Sequence, residues 1–387
     1  MNENKPKKVA LVHDFLVSYG GAERVFEQLA LMYPEAPIYT LLYDAKRMEG
    51  HFMGRDIRTS WLGKLPRFIR NRYRFFLPFF PVAVESLDLR EFDLVISSSG
   101  AWSKGIITRL HTTHVAYLHS PMRYAWDYHE SYLQELGGLG RMNILTRILL
   151  SYLRIWDKQA AERPDVLIAN SEFTRVRIEK YYRREASVVY PGALSLFEKS
   201  AGFPEVSETE KDPAHSASQN VSDRYFLVVS RLTRSKKVDM VIDAFNKLSL
   251  PLLVVGNGSE EKKLKKRAGS TILFSGFVPD SELAKLYHGA RAVIFPSEED
   301  FGMVAVEALS FGVPVIGLEY GGLREIVTSG VTGEFFHTAT PEIIAEAVRR
   351  FLEKETTYSQ SVMKESVQKF GTENFQRQLK ERVEIQE

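Results

Sequence analysis

The chain contains no cysteine. A disulfide framework, a thiolate metal site and a cysteine nucleophile are therefore excluded, and the composition suits a reducing compartment. It also has no uninterrupted apolar run of membrane-spanning length. The opening Met1-Asn2-Glu3-Asn4-Lys5-Pro6-Lys7-Lys8 carries no hydrophobic signal-peptide core, so the expected location is the cytoplasm. Excess charge is lacking too: 51 Lys and Arg stand against 49 Asp and Glu, a formal net charge of +2. That balance gives no bulk affinity for nucleic acid. No Asp-x-Asp pair stands at the end of an expected strand, so no metal site is expected.

What remains is ordinary for a soluble globular protein, with 44% apolar and 26% charged residues. At 387 residues the chain is comfortable for two domains, each with its own core. Short buried strands ending in polar or glycine-rich loops, each followed by a helical pattern, recur in both halves. The expected fold is α/β, with two doubly wound domains facing a cleft. The expected boundaries are residues 1–193, a linker or flexible loop at 194–223 rich in Ser, Glu, Lys, Pro and Ala, a second domain at 224–365, and a C-terminal helix at 366–387.

The most informative stretch runs from Pro296 to Gly317. It reads as a strand end, a polar turn, a short apolar helix beginning near Gly302 and another buried strand. The amides of Phe301, Gly302 and Met303 fall at a helix N-terminus, which suits an anion such as a diphosphate. Glu299 and Glu307 frame that site; carboxylates repel phosphate but accept hydrogen bonds from vicinal hydroxyls, as a sugar presents them. Glu307, between Val306 and Ala308, reads as buried, and a buried charge needs a partner.

Three other loops stand out. Gly20-Gly21 follows a strand at 8–14 and opens a helix; it is either a plain tight turn or a phosphate-facing loop. His119, with Arg123, follows a strand at 114–119, and its histidine is either structural or part of a site. Arg231 and Lys236 share one strand-to-helix loop, either a solvated basic loop or a pair converging on a phosphate. Gly256-Asn257-Gly258 is a turn that lets a flat ring approach the backbone, and Gly276 and Val278 lie in the next strand and loop. One segment differs in composition: Arg55 to Pro81 interleaves Arg55, Arg58, Lys64, Arg67, Arg70, Arg72 and Arg74 with Trp61 and several phenylalanines. It reads equally as an amphipathic core element or as a membrane-surface element.

Glu-x7-Glu followed by Gly312-Val313-Pro314-Val315 resembles the signature of retaining GT-B glycosyltransferases of family 4. The segment His119-Ser120-Pro121-Met122-Arg123-Tyr124-Ala125-Trp126-Asp127 resembles that of bacterial O-antigen-type mannosyltransferases. The resemblance covers nearly the whole chain in family order. It implies a metal-independent hexosyl transfer from a nucleotide-diphosphate sugar, with GDP-mannose favoured over UDP-hexose, to a saccharide acceptor that is lipid-linked, in cell-surface polysaccharide synthesis. No separate cofactor is implied, and the protein would work in the cytoplasm or peripherally at the membrane.

The resemblance further implies that Arg231 and Lys236 clamp the diphosphate, Glu299 holds the sugar and Glu307 the ribose. His119 would contact the donor sugar, Gly20 and Gly21 would face the diphosphate, and the loops at Gly256, Gly276 and Val278 would bind the base through main-chain groups. The C-terminal helix would return to the first domain. Lys237 stands where the family often has glycine. Two rivals stay in view: a GT-B epimerase, which would need a second acid pair, and a nucleotide-sugar-binding scaffold without turnover.

Overall fold

The structure is a computed structural model describing residues 7–66, 70, 73–127, 144–200 and 225–384. The chain divides into two compact units, residues 1–192 with 373–387, and residues 193–372.

The N-terminal unit is built on a parallel sheet of seven strands: β1 (Val9–Leu16), β2 (Ile38–Tyr43), β3 (Ile57–Thr59), β4 (Leu94–Ser99), β5 (Thr113–Leu118), β6 (Val166–Ala169) and β7 (Ser187–Val188). Their order is β3-β2-β1-β4-β5-β6-β7. The middle strands β1, β4 and β5 are buried almost end to end, as expected of parallel strands covered on both faces. Helix Gly21–Met32 lays Val25, Phe26, Leu29 and Ala30 into the unit. Helix Thr372–Glu384 belongs to the same unit, with Phe375 edge-on to the Tyr117 ring at 5.7 Å.

The C-terminal unit has six parallel strands: β8 (Tyr225–Val229), β9 (Leu252–Val255), β10 (Ile272–Gly276), β11 (Ala290–Phe295), β12 (Val315–Leu318) and β13 (Gly333–Phe336). They run in the order β10-β9-β8-β11-β12-β13. Phe226 of β8 packs edge-on against Phe245 at 5.2 Å and Phe351 at 5.9 Å, fixing helices Val238–Leu248 and Pro341–Lys354 to the sheet.

The expected linker at 194–223 departs from expectation at its start, where Ser195–Ser200 is helical and its Phe197 meets Phe311 edge-on at 5.6 Å. Apolar contact overrides the polar composition there. The remaining linker residues lie outside the described ones. No described helix is long and apolar enough to cross a membrane.

Candidate active site

In each sheet the strand order reverses once, between β1 and β4 and between β8 and β11. Loops leaving the carboxyl ends on either side of such a reversal turn to opposite faces and leave a crevice. Nearly all the chemistry-bearing residues lie in these loops or in their neighbours.

In the C-terminal unit the loop after β8 carries Arg231 and Lys236, and the turn after β11 carries Glu299. Lys236 Nζ is ion-paired with Glu299 Oε1, and Ser297 Oγ donates to the same oxygen at 3.0 Å. Beside it Lys237 pairs with Glu298 at 3.1 Å. Lys237 adopts φ 51°, ψ 30° in front of helix Val238–Leu248. That left-handed region favours glycine, which is the backbone demand Lys237 meets at a position where the family often has glycine. Arg231 is exposed and makes no ion pair among the described residues.

The Glu299 turn is held from behind by Gly322, whose N–H donates to Glu299 O at 3.1 Å. A Cβ on Gly322 would lie 2.5 Å from the Asp300 carbonyl oxygen, so only glycine permits this approach. Gly302, at φ 109°, precedes helix Met303–Ser310 and offers no side-chain cap, so the first-turn amides are served by no capping side chain. Phe301 is buried edge-on to Phe370 at 5.3 Å. Glu307 is buried as its flanks imply, with a partner the sequence did not announce: Tyr287 donates to Glu307 Oε2 at 2.8 Å. Tyr287 is itself fully buried and stacked on Phe311, ring centroids 5.3 Å apart.

The loops after β8, β9 and β10 meet through main chain. Gly256 N–H donates to Gly276 O at 2.7 Å, and at φ 123° a Cβ on Gly256 would lie 2.0 Å from Ser230 O. Val278 is buried, while its neighbour Phe277 is 73% exposed.

In the N-terminal unit Gly20 caps helix Gly21–Met32 in an extended conformation, φ −157°. His119, at the end of β5, is half-buried and belongs to a cluster. Its Nε2 is 2.8 Å from Ser98 Oγ on β4, and Ser98 Oγ is 3.1 Å from His13 Nδ1 on β1. His13 Nε2 lies 3.7 Å from Glu23 Oε1, in the first helical turn after the glycine pair. Burial pushes the Glu23 carboxyl up, but the hydrogen bond and charge of His13, with its own backbone N–H and His119, hold it below its ordinary value. The next residue, Asp14, pins the loop after β4 by accepting from the N–H groups of Gly100 at 2.9 Å, Ala101 at 2.7 Å, Trp102 at 3.1 Å and Ser103 at 2.6 Å.

His114 provides the contrast. It is fully buried with Nε2 2.8 Å from Ser97 Oγ, and burial, then the charges of Arg163 and Arg184, push it down to about 3. It is a neutral structural histidine.

Ser120, Trp126 and Asp127 of the same segment serve the architecture. Trp126 Nε1 donates to Asp157 Oδ2 at 2.8 Å, Asp127 pairs with Arg177, and Arg177 donates to Ser120 Oγ at 2.9 Å. Asp157 also holds the buried Lys104 at 2.5 Å. The Arg55–Pro81 segment divides. Arg55 donates to the carbonyls of Ala30, Tyr33 and Ala36 near the end of helix Gly21–Met32, and Leu62, Phe80 and Pro81 are buried. Trp61, Lys64 and Phe79 are exposed. Arg67 and Arg72 lie outside the described residues. Among the described residues no group of three or more His, Asp or Glu is placed to hold a metal ion.

With this geometry in view, two family models divide the chain between them: "Glycosyltransferase Family 4" matches residues 19–193 and "Glycosyl transferases group 1" matches residues 210–370. The chain belongs to the GT-B glycosyltransferases of family 4. The Arg231–Lys236 loop and the Glu299 turn of this family 4 chain lie within the second matched range, and Gly20, Gly21 and His119 within the first. An uncharacterised glycosyltransferase of Methanocaldococcus jannaschii is 34% identical over 140 residues, 34% of this chain and 36% of that protein. A D-inositol 3-phosphate glycosyltransferase of Corynebacterium urealyticum is 28% identical over 221 residues, 51% of each chain. An O-antigen chain mannosyltransferase C of Escherichia coli is 29% identical over 147 residues, 36% of this chain and 40% of that protein. The chain thus spans between about a third and a half of the length of these curated relatives. Among solved structures, Anabaena HepE in complex with UDP and glucose superposes with a TM-score of 0.70 at 20% identity, covering 98% of this chain and 100% of that one. Sucrose-phosphate synthase from Thermosynechococcus elongatus gives 0.71 at 19% identity, covering 98% of each. These likenesses carry the two-domain GT-B fold.

Proposed function

We propose that this family 4 protein transfers a hexose, with mannose from GDP-mannose the favoured donor, to a lipid-linked saccharide acceptor, retaining the anomeric configuration and needing no metal ion. The carrying observation is the pairing of the Arg231–Lys236 loop with the Glu299 turn at the strand reversal of the six-stranded sheet. A cationic loop and a hydroxyl-accepting carboxylate at one crevice suit the two ends of a sugar diphosphate.

In the reaction the bond between the sugar C1 and the diphosphate oxygen breaks while the acceptor oxygen bonds to C1. The acceptor proton passes to the departing diphosphate. Arg231, Lys236 and the first amides of helix Met303–Ser310 meet the charge that grows on that leaving group, which is electrostatic stabilisation in the place of a metal. Glu299 holds sugar hydroxyls, Glu307 the ribose, and His119 orients the sugar. No side chain is cast as a nucleophile, so the acceptor attacks on the leaving-group face and configuration is kept.

The donor preference rests on the His119–Asp127 segment and on the likeness to the O-antigen chain mannosyltransferase. Cell-surface polysaccharide synthesis, with work at the inner membrane surface, fits such an acceptor. The test is a thermal-shift panel of GDP-mannose, UDP-glucose and UDP-N-acetylglucosamine, because a ligand bound to the native state raises apparent stability. A transfer assay with and without EDTA follows, with the product anomer read by NMR. The reading expects GDP-mannose to give the largest shift, EDTA to leave transfer intact and an α-linked product. A UDP-sugar giving the largest shift would replace the donor. Loss of transfer in EDTA with recovery in Mg²⁺ would replace the clamp by a metal.

A further inference from the structure

Glu307 sits in the short, mainly apolar helix Met303–Ser310, buried together with its neighbours Val306 and Ala308. A carboxylate in such a place costs free energy that an apolar residue would not, unless a donor meets it. The donor is the phenol of Tyr287, on helix Asp280–Gly289, 2.8 Å from Glu307 Oε2. Tyr287 has no exposed surface of its own. For stability alone a phenylalanine and an apolar partner would serve, since exchanging both members of a buried hydrogen bond for apolar groups of the same shape is nearly neutral. The pair points to a task for the carboxylate beyond packing.

The phenol is itself fixed in place. Phe311 follows Glu307 by four residues, so the two side chains share one face of the helix. Tyr287 lies along that face, with its hydroxyl on Glu307 and its ring stacked on Phe311 at 5.3 Å, the planes 10° apart. Phe311 is held in turn by edge contacts, 5.0 Å from the His288 ring and 5.6 Å from Phe197 of helix Ser195–Ser200. On the other helix, Tyr225 Oη donates to Leu286 O at 2.9 Å and ties the last turn, which carries Tyr287, to β8. Gly289 permits this approach, because a Cβ there would lie 2.9 Å from the Tyr225 hydroxyl.

We propose that Tyr287 is a positioning residue for the nucleotide ribose: it holds one oxygen of Glu307 so that the carboxylate keeps a fixed orientation towards the vicinal hydroxyls. This rests on the reading of Glu307 as the ribose group and adds the residue that sets it. A carboxylate offers about four acceptor sites and one phenol fills one of them, so the bond orients the group without using it up. A carboxylate without this hold would have to be ordered when the ligand binds, at a cost to affinity. Tyr287 orders it when the protein folds. The ligand class follows: a ribonucleoside diphosphate is preferred over one whose ribose lacks its hydroxyls, and part of that preference is set by Tyr287 through Glu307.

The experiment is calorimetric binding of GDP and UDP, each beside its 2′,3′-dideoxy counterpart, to the full chain as wild type, Tyr287→Phe, Glu307→Gln and the double variant. The nucleotide that binds the wild type should lose roughly three- to tenfold in affinity in Tyr287→Phe, the range expected for leaving one side chain to be ordered on binding. Its dideoxy form should bind Tyr287→Phe as it binds the wild type, a selectivity that a packing defect would not produce. In the double variant Tyr287→Phe should add nothing to the loss from Glu307→Gln, because the two act as one unit. If circular dichroism shows Tyr287→Phe unfolded, Phe311→Leu replaces it, keeping the phenol and removing the ring it stacks on, with the same selective loss expected. Equal losses for the ribo and dideoxy forms, or full affinity in Tyr287→Phe while Glu307→Gln is selectively weakened, would overturn the positioning role and leave Glu307 on the ribose. A wild type that binds neither nucleotide, or binds ribo and dideoxy forms alike, would overturn the ribose reading and this proposal with it.

Discussion

Lys236 is ion-paired with Glu299 across the reversal between β8 and β11, so two groups assigned to one donor hold each other. On the proposed reading, a diphosphate that engages Lys236 would exchange for the carboxylate and release it to accept from sugar hydroxyls, coupling the phosphate and sugar ends of the donor. Arg231, exposed and without an ion pair among the described residues, has no such exchange to make.

The clamp gives the first prediction. Lys236→Ala and Arg231→Ala should each lower turnover by about 10²–10³, the usual effect of losing one charge-stabilising contact. Both residues lie outside the buried core, so thermal midpoints should barely change. Near-normal turnover in both variants would remove the clamp.

The glutamates should separate in calorimetry with free GDP. Glu307→Gln should weaken binding by roughly tenfold or more, since a hydrogen bond to a charged group contributes about 1.5–3 kcal/mol. Glu299→Gln frees Lys236 from its partner, so GDP should bind no more weakly than to the wild type, while discrimination between donor sugars falls. The opposite pattern would exchange the two roles.

Much of this arrangement was legible in the chain itself, for identifiable reasons. The apolar runs in β1, β11 and β12 mark parallel strands buried on both faces, and Glu307 declared its burial by its neighbours. The residues that the sequence did not announce act through tertiary contact. Tyr287 lies in a different helix from Glu307, and nothing in its local pattern points there. His13 sits in a strand read simply as buried, where the signal available was a polar residue inside an apolar run, which a satisfied core also shows; Ser98 lies in a stretch that the sequence reading did not single out. Trp126 and Asp127, placed by resemblance in a functional segment, spend their polar atoms on Asp157 and Arg177.

His114 yields a pH prediction. Its folded-state value, about 3, lies below the ordinary 6.5, so the folded protein resists its protonation. The stability this represents is fully present above pH 6.5 and is lost as the pH falls towards 3, by up to about 1.4 kcal/mol per pH unit. Between pH 6.5 and 5, where few carboxylates titrate, the thermal midpoint of the wild type should fall more steeply than that of His114→Gln. Parallel slopes would mean that His114 is protonated in the folded state or that another group dominates.

The membrane reading can be tested on a surface broader than the segment that suggested it. Arg55 and Arg70 are committed to backbone carbonyls, so exchanging them would perturb the fold as well as any lipid contact. The exposed groups are better probes. Phe79 is 50% and Val82 55% exposed at helix Phe80–Glu85, and Ile148 is 59% and Ile155 63% exposed on helix Ile144–Ala160. The two helices are tied together by Trp156 Nε1 donating to Glu85 Oε1 at 2.9 Å. Apolar side chains on adjacent helices, with Lys64 and Arg147 nearby in sequence, suit the boundary of an anionic bilayer, where each basic residue contributes about 1 kcal/mol. Wild type and a Lys64→Glu, Phe79→Glu, Ile148→Glu, Ile155→Glu variant should be compared by co-sedimentation with anionic and neutral vesicles. The wild type should pellet with anionic vesicles at low salt and be released as salt rises, because exposed charges are screened within about 10 Å at 0.1 M. The variant should stay in solution throughout. Equal pelleting of both proteins, or none with anionic vesicles at low salt, would detach these side chains from any lipid surface and leave the acceptor to be reached from solution.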